Sequence, residues 1–313
     1  MTFAATVVIA TRDRRDELRR AVRSAIAQDL PIEVLVIDDG SRDGTPEMIR
    51  KEFPNVQLHA FEGSLGVPTR RNQAARLARA PIIFSIDDDA EFSSPNTLKQ
   101  TLREFNHYRI GAIALPFINI SRNQEVHQRA PNADVCYITD TFIGTAYAVR
   151  RDCFLHVGGY REQVVHQGEE KDFCLRMLNT GYVVRLGRSD PIQHNESPKR
   201  NLRRMDFYGR RNDILFVWHN VPGPYLPIHL IATTLNGLIF AARTRSLIRF
   251  RDMLGGLIRG YSDCLKYFSA RRPVTRCMYR LSRRLTKDGP LPLSEIENQL
   301  PPCIKVEASA DML

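Results

Sequence analysis

A chain of 313 residues with 43% apolar and 26% charged residues is ordinary for a globular protein. It is long enough for one large domain or a domain with a helical appendage, and wholesale disorder is excluded. The net charge of +10 is uneven, because residues 241–288 hold thirteen Lys/Arg against three acids and leave the rest near neutral. Six scattered cysteines without a CxxC pair argue against a zinc site or a disulfide-stapled secreted domain, and read as reduced cytosolic thiols.

The first apolar, β-branched run is Ala4–Ala10, and Arg12, Asp13, Arg14 and Arg15 follow at once. A signal peptide carries its positive charge before a longer apolar stretch, so the start reads as a buried strand. Residues 14–28 place Leu18, Ala21, Val22, Ala25 and Ile26 on one helix face. Ile32–Ile37 predicts a second strand, Thr45–Phe53 a helix, Val56–Ala60 a third strand, Pro68–Ala78 a helix and Pro81–Ile86 a fourth strand. This alternation predicts a mostly parallel sheet with helices on both faces, which binds ligands at the carboxyl ends of its strands. Asp38-Asp39 and Asp87-Asp88-Asp89 fall at those ends.

Beyond Glu91, Ile110–Ile118 and Thr145–Val149 read as strands. From about Arg200 the chain turns helical and basic. It includes the apolar run Tyr225–Ala242, interrupted by Pro227, His229 and Asn236. A spanning helix needs about twenty mostly apolar residues, so this run is borderline. With the arginines after it, it suits either a helix lying on an anionic leaflet or a cap packed on the domain. The expected organisation is a domain over 1–215, a basic helical extension over 216–288 and a poorly ordered tail over 289–313.

Three consecutive aspartates at a strand end are costly unless a cation neutralises them, and hard oxygen ligands suit Mg²⁺ or Mn²⁺. A solvated acidic turn fits the same residues. The context adds Val7–Arg14, VLVIDDGSRDGT (Val34–Thr45), GVPTRRNQA (Gly66–Ala74) and FSIDDDAE (Phe84–Glu91). FIGTAYAVRR (Phe142–Arg151), VGGYRE (Val157–Glu162), GEEKDFCLRMLNTGY (Gly168–Tyr182) and RRND (Arg210–Asp213) follow in order.

Over about residues 4–215 this series resembles the family-2 glycosyltransferases, and the resemblance implies their Rossmann-like GT-A fold. It implies nucleotide contacts from Thr11 and Asp13, base and ribose contacts from Asp38 and Asp39, and nucleotide or diphosphate contacts from Arg71 and Asn72. Asp87 and Asp89 match the DxD metal motif, and Asp88 is its middle residue, facing the sugar or filling the turn. His194 matches a histidine that completes the metal or diphosphate site. The family's Glu-Asp-x-Asp reads Glu169-Glu170-Lys171-Asp172 here, which puts the general base on Glu170 and leaves Asp172 to orient neighbours or contact the acceptor. Read without the resemblance, Asp38-Asp39 fits an ordinary turn, and Glu169-Glu170 fits a helix first turn.

The implied activity is metal-dependent inverting transfer from a nucleotide diphosphate sugar to a saccharide or lipid-linked acceptor. The expected location is the cytoplasm, peripheral on the inner face of the cell membrane. A processive synthase is disfavoured because QxxRW is absent, and a sugar nucleotidyltransferase because no glycine-rich loop follows the first strand. A catalytically degenerate binding module is the remaining alternative. The basic segment carries no nucleic-acid-binding motif, and no specific nucleic-acid partner is expected.

Overall fold

A computed structural model describes residues 3–122, 124–197 and 201–303. β1 (Ala5–Thr11), α1 (Arg15–Ile26), β2 (Ile32–Asp38), α2 (Thr45–Glu52), β3 (Gln57–Ala60), α3 (Val67–Leu77) and β4 (Ile82–Asp87) alternate as the periodicity predicts. β5 (Ala90–Phe92), α4 (Thr97–Leu102), β6 (Ile110–Ala114), β7 (Phe117–Asn119), β8 (Val126–His127), β9 (Tyr137–Thr139) and β10 (Ala146–Arg150) follow. Then come α5 (Arg151–His156), α6 (Glu169–Leu178), β11 (Val183–Leu186) and β12 (Ile192–His194). The C-terminal part holds α7 (Leu202–Asn220), α8 (Leu226–Arg243), α9 (Leu247–Lys266), α10 (Arg276–Asp288), β13 (Leu291–Pro292) and α11 (Leu293–Ile296).

The main sheet has nine strands in the order β13-β9-β11-β6-β10-β4-β1-β2-β3, and only β10 and β9 oppose the common direction. β1 alternates its side chains between two cores: Val7 and Ile9 pack with Leu18 and Ala25 of α1, and Val8 packs with Ala74 and Ala75 of α3. Burial on both faces explains the unbroken apolar runs of β1 and β2. Parallel register sets Thr11 beside Asp38 and Ala10 beside Asp87, so the acidic strand ends share one edge.

The expected strand Ile110–Ile118 is two strands in different sheets. Pro116, which has no N–H for a ladder, separates β6 from β7. β7 joins a small sheet of order β5-β12-β7-β8. There β12 runs antiparallel to β5 with His194 opposite Ala90, which carries His194 to the aspartates more than a hundred residues earlier.

The boundary expected at 215 falls inside α7. α7 and α9 pack tightly, and a Cβ on Gly256 would overlap the Phe207 carbonyl oxygen. The expectation of a disordered tail from 289 is corrected over 289–303. β13 pairs with β9, and Leu293, Ile296 and Leu300 are buried in the main core. Their i, i+3, i+7 spacing makes an apolar face that the surrounding prolines obscure in the sequence. Residues 304–313 lie outside the described residues.

Candidate active site

The ends of β1, β2 and β4 border a cleft of about 360 Å³ lined by Thr11, Arg14, Asp39, Arg70 and the three aspartates 87–89, with Gln167 on the far wall. Asp88 is buried, accepting from Thr11 Oγ1 at 2.8 Å and from Arg14 Nη1 at 2.7 Å. Burial pushes its carboxyl up to about 7, against the opposing pull of Arg14. Asp89 is 3% exposed and accepts from Arg14 Nη1 at 3.1 Å and from the Ser197 amide at 3.0 Å. Asp87 is more open and accepts from Arg71 Nη2 at 2.8 Å.

Ligand atoms of Asp87, Asp89 and His194 lie within 4.8 Å of one another. His194 Nε2 stands 3.2 Å from Asp89 Oδ1, yet neither ring nitrogen makes a hydrogen bond among the described residues. A buried imidazole without hydrogen bonds beside two carboxylates is a donor set that a divalent cation satisfies.

The other implied nucleotide contacts divide. Thr11 and Asp39 line the cleft. Asp39 also ties down the following loop, accepting from Leu65 N at 2.8 Å, Gly66 N at 3.1 Å and Arg70 Nε at 2.6 Å. Asp38 is 1% exposed and spends its oxygens on Ser41, and Asp13, at φ 53°, accepts from the Arg42 amide at 2.7 Å. These two knit the β1 and β2 loops together and do not line the cleft.

Asn72 is corrected outright. Both ends of its amide bond the Tyr160 backbone at 2.8 Å, so it anchors the loop after α5 and does not face the cleft. Successive helix residues point about 100° apart, which turns Arg70 to Asp39, Arg71 to Asp87 and Asn72 inward. Arg14, Arg70, Gln167 and His166 are cleft residues that the sequence reading left without a role.

α6 begins at Glu169 after Gly168, whose φ of 86° suits glycine. Its second residue, Glu170, lies against Gly144: a Cβ there would overlap Glu170 Oε1 and stand 3.0 Å from Arg71 Nη1. Arg71 pairs with Asp87, its charge favours the ionised form of Glu170 nearby, and it also donates to the Gly144 carbonyl at 2.8 Å. Burial raises both glutamates, and the charge of Glu170 helps push Glu169 up to about 8. Glu169 is the more enclosed, with Oε2 lacking a hydrogen-bond partner among the described residues.

Asp172 does not join them. It is 2% exposed, with one oxygen on Arg161 Nε at 3.0 Å and Asn220 Nδ2 at 2.7 Å and the other on Arg176 Nε at 2.9 Å. A helical step of two residues turns it away from Glu170, and its oxygens orient the neighbouring Arg161, Arg176 and Asn220. Asp172→Ala would leave two enclosed arginines unpaired and cost about 3–5 kcal/mol by chemical denaturation at neutral pH. Its arginine partners hold the carboxyl below the usual range despite burial. The gap from wild type is therefore full above about pH 4 and closes as pH falls through the folded pKa.

The RRND segment has a structural task. Arg211 Nε meets Asp263 at 2.6 Å, and its Nη1 donates to the Gln163 carbonyl at 2.8 Å. Asn212 Nδ2 donates to the carbonyls of His166 at 2.7 Å and Gln167 at 2.8 Å. Together they fix the loop that walls the cleft.

Residues 6–159 match the model for glycosyl transferase family 2. The succinoglycan biosynthesis protein ExoU of Rhizobium meliloti (strain 1021) is 27% identical over 196 residues, 56% of this chain and 57% of that protein. This chain thus matches little more than half the length of that relative. An N-acetylglucosaminyl-diphospho-decaprenol L-rhamnosyltransferase of Mycobacterium tuberculosis (strain ATCC 25618 / H37Rv) is 36% identical over 74 residues, 23% of this chain and 24% of that protein. Among solved structures, S. aureus TarS 1–349 in complex with UDP-GlcNAc superposes with a TM-score of 0.61 at 15% identity, covering 92% of each chain. The mannosyltransferase PcManGT of Pyrobaculum calidifontis, in complex with GDP-Man and Mn²⁺, gives 0.58 at 18% identity, covering 96% of this chain and 84% of that one. These superpositions establish the GT-A architecture.

Proposed function

The chain belongs to glycosyl transferase family 2, and from that premise we propose that it moves a sugar from a nucleotide diphosphate sugar to an acceptor hydroxyl in one displacement with inversion. The observation that carries the reading is the gathering of Asp87, Asp89 and His194 at the strand ends, with Arg71 paired to Asp87 and Glu170 lying against Gly144. Asp87, Asp89 and His194 would hold Mg²⁺ or Mn²⁺. When bound, that cation supplies charge that screens the diphosphate and stabilises the departing nucleotide.

In this reading, Thr11 and Asp39 meet the nucleoside from the strand ends, with Asp13 and Asp38 shaping the loops behind them. Arg14 and Arg70 add positive charge to the cleft, and Arg71 holds Asp87 and offsets the charge of Glu170. Glu170 accepts the proton of the acceptor hydroxyl as that oxygen bonds the anomeric carbon. The bond from that carbon to the diphosphate oxygen breaks on the opposite face.

The printed names of the relatives, a succinoglycan biosynthesis protein and a transferase acting on a diphospho-decaprenol-linked sugar, support a polysaccharide or lipid-linked acceptor. Incubation with UDP-, GDP- and TDP-sugars plus Mn²⁺ tests the donor half directly. Slow release of nucleotide diphosphate from one series, abolished by EDTA, is the expected result, and no release from any would count against transfer.

We also place the C-terminal helices against a membrane. One helical segment, Gly223–Arg243, is long and apolar enough to cross a membrane among the described residues, and only 11% of its apolar window is buried. Its outward side chains Ile228, Ile231 and Leu235 are exposed at 67%, 61% and 53%, and Leu247 and Ile248 continue the apolar surface beside Arg243, Arg245 and Arg251. A soluble surface rarely leaves so much aliphatic area open. Because polar side chains of α8 line a cavity, the helix suits an in-plane position on the inner leaflet. The protein is expected to co-sediment with vesicles containing phosphatidylglycerol and to release as salt rises, with weak binding to phosphatidylcholine alone. Equal recovery in the supernatant with both would contradict this placement.

A further inference from the structure

A second cavity, of about 440 Å³, lies between the first turn of α6 and helices α7, α8 and α10. Gln167 lines both this cavity and the donor cleft, so the two adjoin at that residue. Gln167 is held at a φ of 67°, with its carbonyl bonded by Asn212 Nδ2 at 2.8 Å. The cavity wall also includes Gly168 and Lys171, which bracket Glu169 and Glu170 on α6. An occupant of this cavity would therefore lie against the first turn of α6, the turn that carries the glutamate assigned above as the base.

The charge of the wall is distinctive. Lys171, Arg210 and Arg283 face a single carboxylate, Asp213, which pairs with Arg210 at 3.0 Å. Arg283 has no hydrogen bond or ion pair among the described residues, and Lys171 stands over the Phe216 ring at 5.7 Å and reaches Asp213 only through space. His229 is occupied by the Tyr279 hydroxyl at 2.9 Å, and burial and Arg283 lower its pKa, which keeps it neutral. The concave surface thus holds an excess of positive charge with no internal counterpart, and a hydroxylated sugar alone would not balance it.

α8 adds a second property. His229, Thr233 and Asn236 turn to the cavity, whereas Ile228, Ile231 and Leu235 turn outward and are exposed. One helix therefore presents polar groups to the cavity and an aliphatic stripe beside its rim. A molecule with an anionic head and a hydrocarbon tail matches both.

We propose that this cavity binds the phosphate or diphosphate of a lipid-linked acceptor, with Lys171, Arg210 and Arg283 as the anion contacts and the lipid leaving along α8. The proposal rests on the transferase reading for its biological sense, because the bound head group would deliver the attached sugar to Glu170. It adds the residues that recognise the acceptor and the chemical group they recognise.

The test is calorimetric titration of geranyl diphosphate into the full chain in EDTA, with inorganic pyrophosphate and geraniol as parallel ligands. Removing divalent cations silences the metal-dependent donor site. Wild type is expected to bind geranyl diphosphate at least tenfold more tightly than pyrophosphate, and geraniol not measurably. Arg283→Ala and Lys171→Ala should each weaken binding about tenfold, the scale of a lost charge-assisted contact, and Asp89→Ala should leave it unchanged.

Arg283 is exposed on α10, so its truncation spares the core. Absence of binding to folded wild type would overturn the proposal, as would undiminished affinity in both cation variants. Loss in Asp89→Ala would move the ligand to the donor cleft and overturn it equally. Equal affinity for pyrophosphate would overturn the lipid-linked assignment. Metal-dependent nucleotide binding, measured separately, reports on the transferase reading, so either can fail without the other.

Discussion

Asp89→Ala is expected to lower sugar transfer by at least about 10³-fold, equivalent to about 4 kcal/mol of transition-state stabilisation. Asp89 is 3% exposed, joins the donor set of Asp87 and His194, and is oriented by the Ser197 amide and Arg14. Truncation removes one ligand from a three-residue set that His194 and Asp87 cannot complete. The fold should survive, because Arg14 keeps its 2.7 Å contact with Asp88 and β4 ends before the change. Circular dichroism would therefore match wild type while turnover with Mn²⁺ disappears. A folded variant with near-normal, metal-dependent turnover would remove Asp89 from the centre.

Glu170→Gln should have a comparable effect on rate and a different effect on binding. The substitution keeps the size of the side chain against Gly144 but removes the carboxylate proposed to accept the proton. Transfer should fall by about 10²–10⁴-fold, the range of general-base contributions, with donor affinity unchanged within about twofold. The pH profile gives a second readout. Burial raises the Glu170 carboxyl, with the negative charge of Asp87 adding to the rise and Arg71 opposing it. The base works only when deprotonated, so kcat/KM should fall with acidification at a midpoint above the ordinary glutamate value of about 4.3. Near-normal turnover of Glu170→Gln would pass the role to Glu169, its more enclosed neighbour on α6.

The sequence carried the site unevenly, for physical reasons. Asp87 and Asp89 were legible because an acidic cluster directly after an aliphatic strand falls on the ligand-binding edge of a parallel sheet. His194 was reachable only by resemblance, since its approach depends on β12 pairing with β5. The Arg70-Arg71-Asn72 run shows where residue type stops being informative. One turn of α3 sends those side chains to Asp39, Asp87 and Tyr160, and periodicity alone does not say which faces the cleft.

Of the two roles the sequence left open for Asp172, orienting neighbours is the one that its three partners from α6, α7 and the loop after α5 match. The cationic cavity left no local signal. Its walls come from α6, α7, α8 and α10; Arg210 and Arg283 sit in the segment that reads as basic helix, and Lys171 in the acidic motif at the start of α6. The ordered stretch after Gly289 was hidden by its prolines, although Leu293, Ile296 and Leu300 carry a helix-like spacing.

The central claim is a cation-dependent nucleotide site built from strand-end carboxylates. It is tested most directly by calorimetric titration of UDP, GDP and TDP into wild type, each with Mn²⁺ and with EDTA. The account predicts that one nucleotide binds with Mn²⁺ and that this binding falls at least about tenfold, or 1.4 kcal/mol, in EDTA. Failure of a folded sample to bind any of the three, or equal binding with and without the cation, would contradict it.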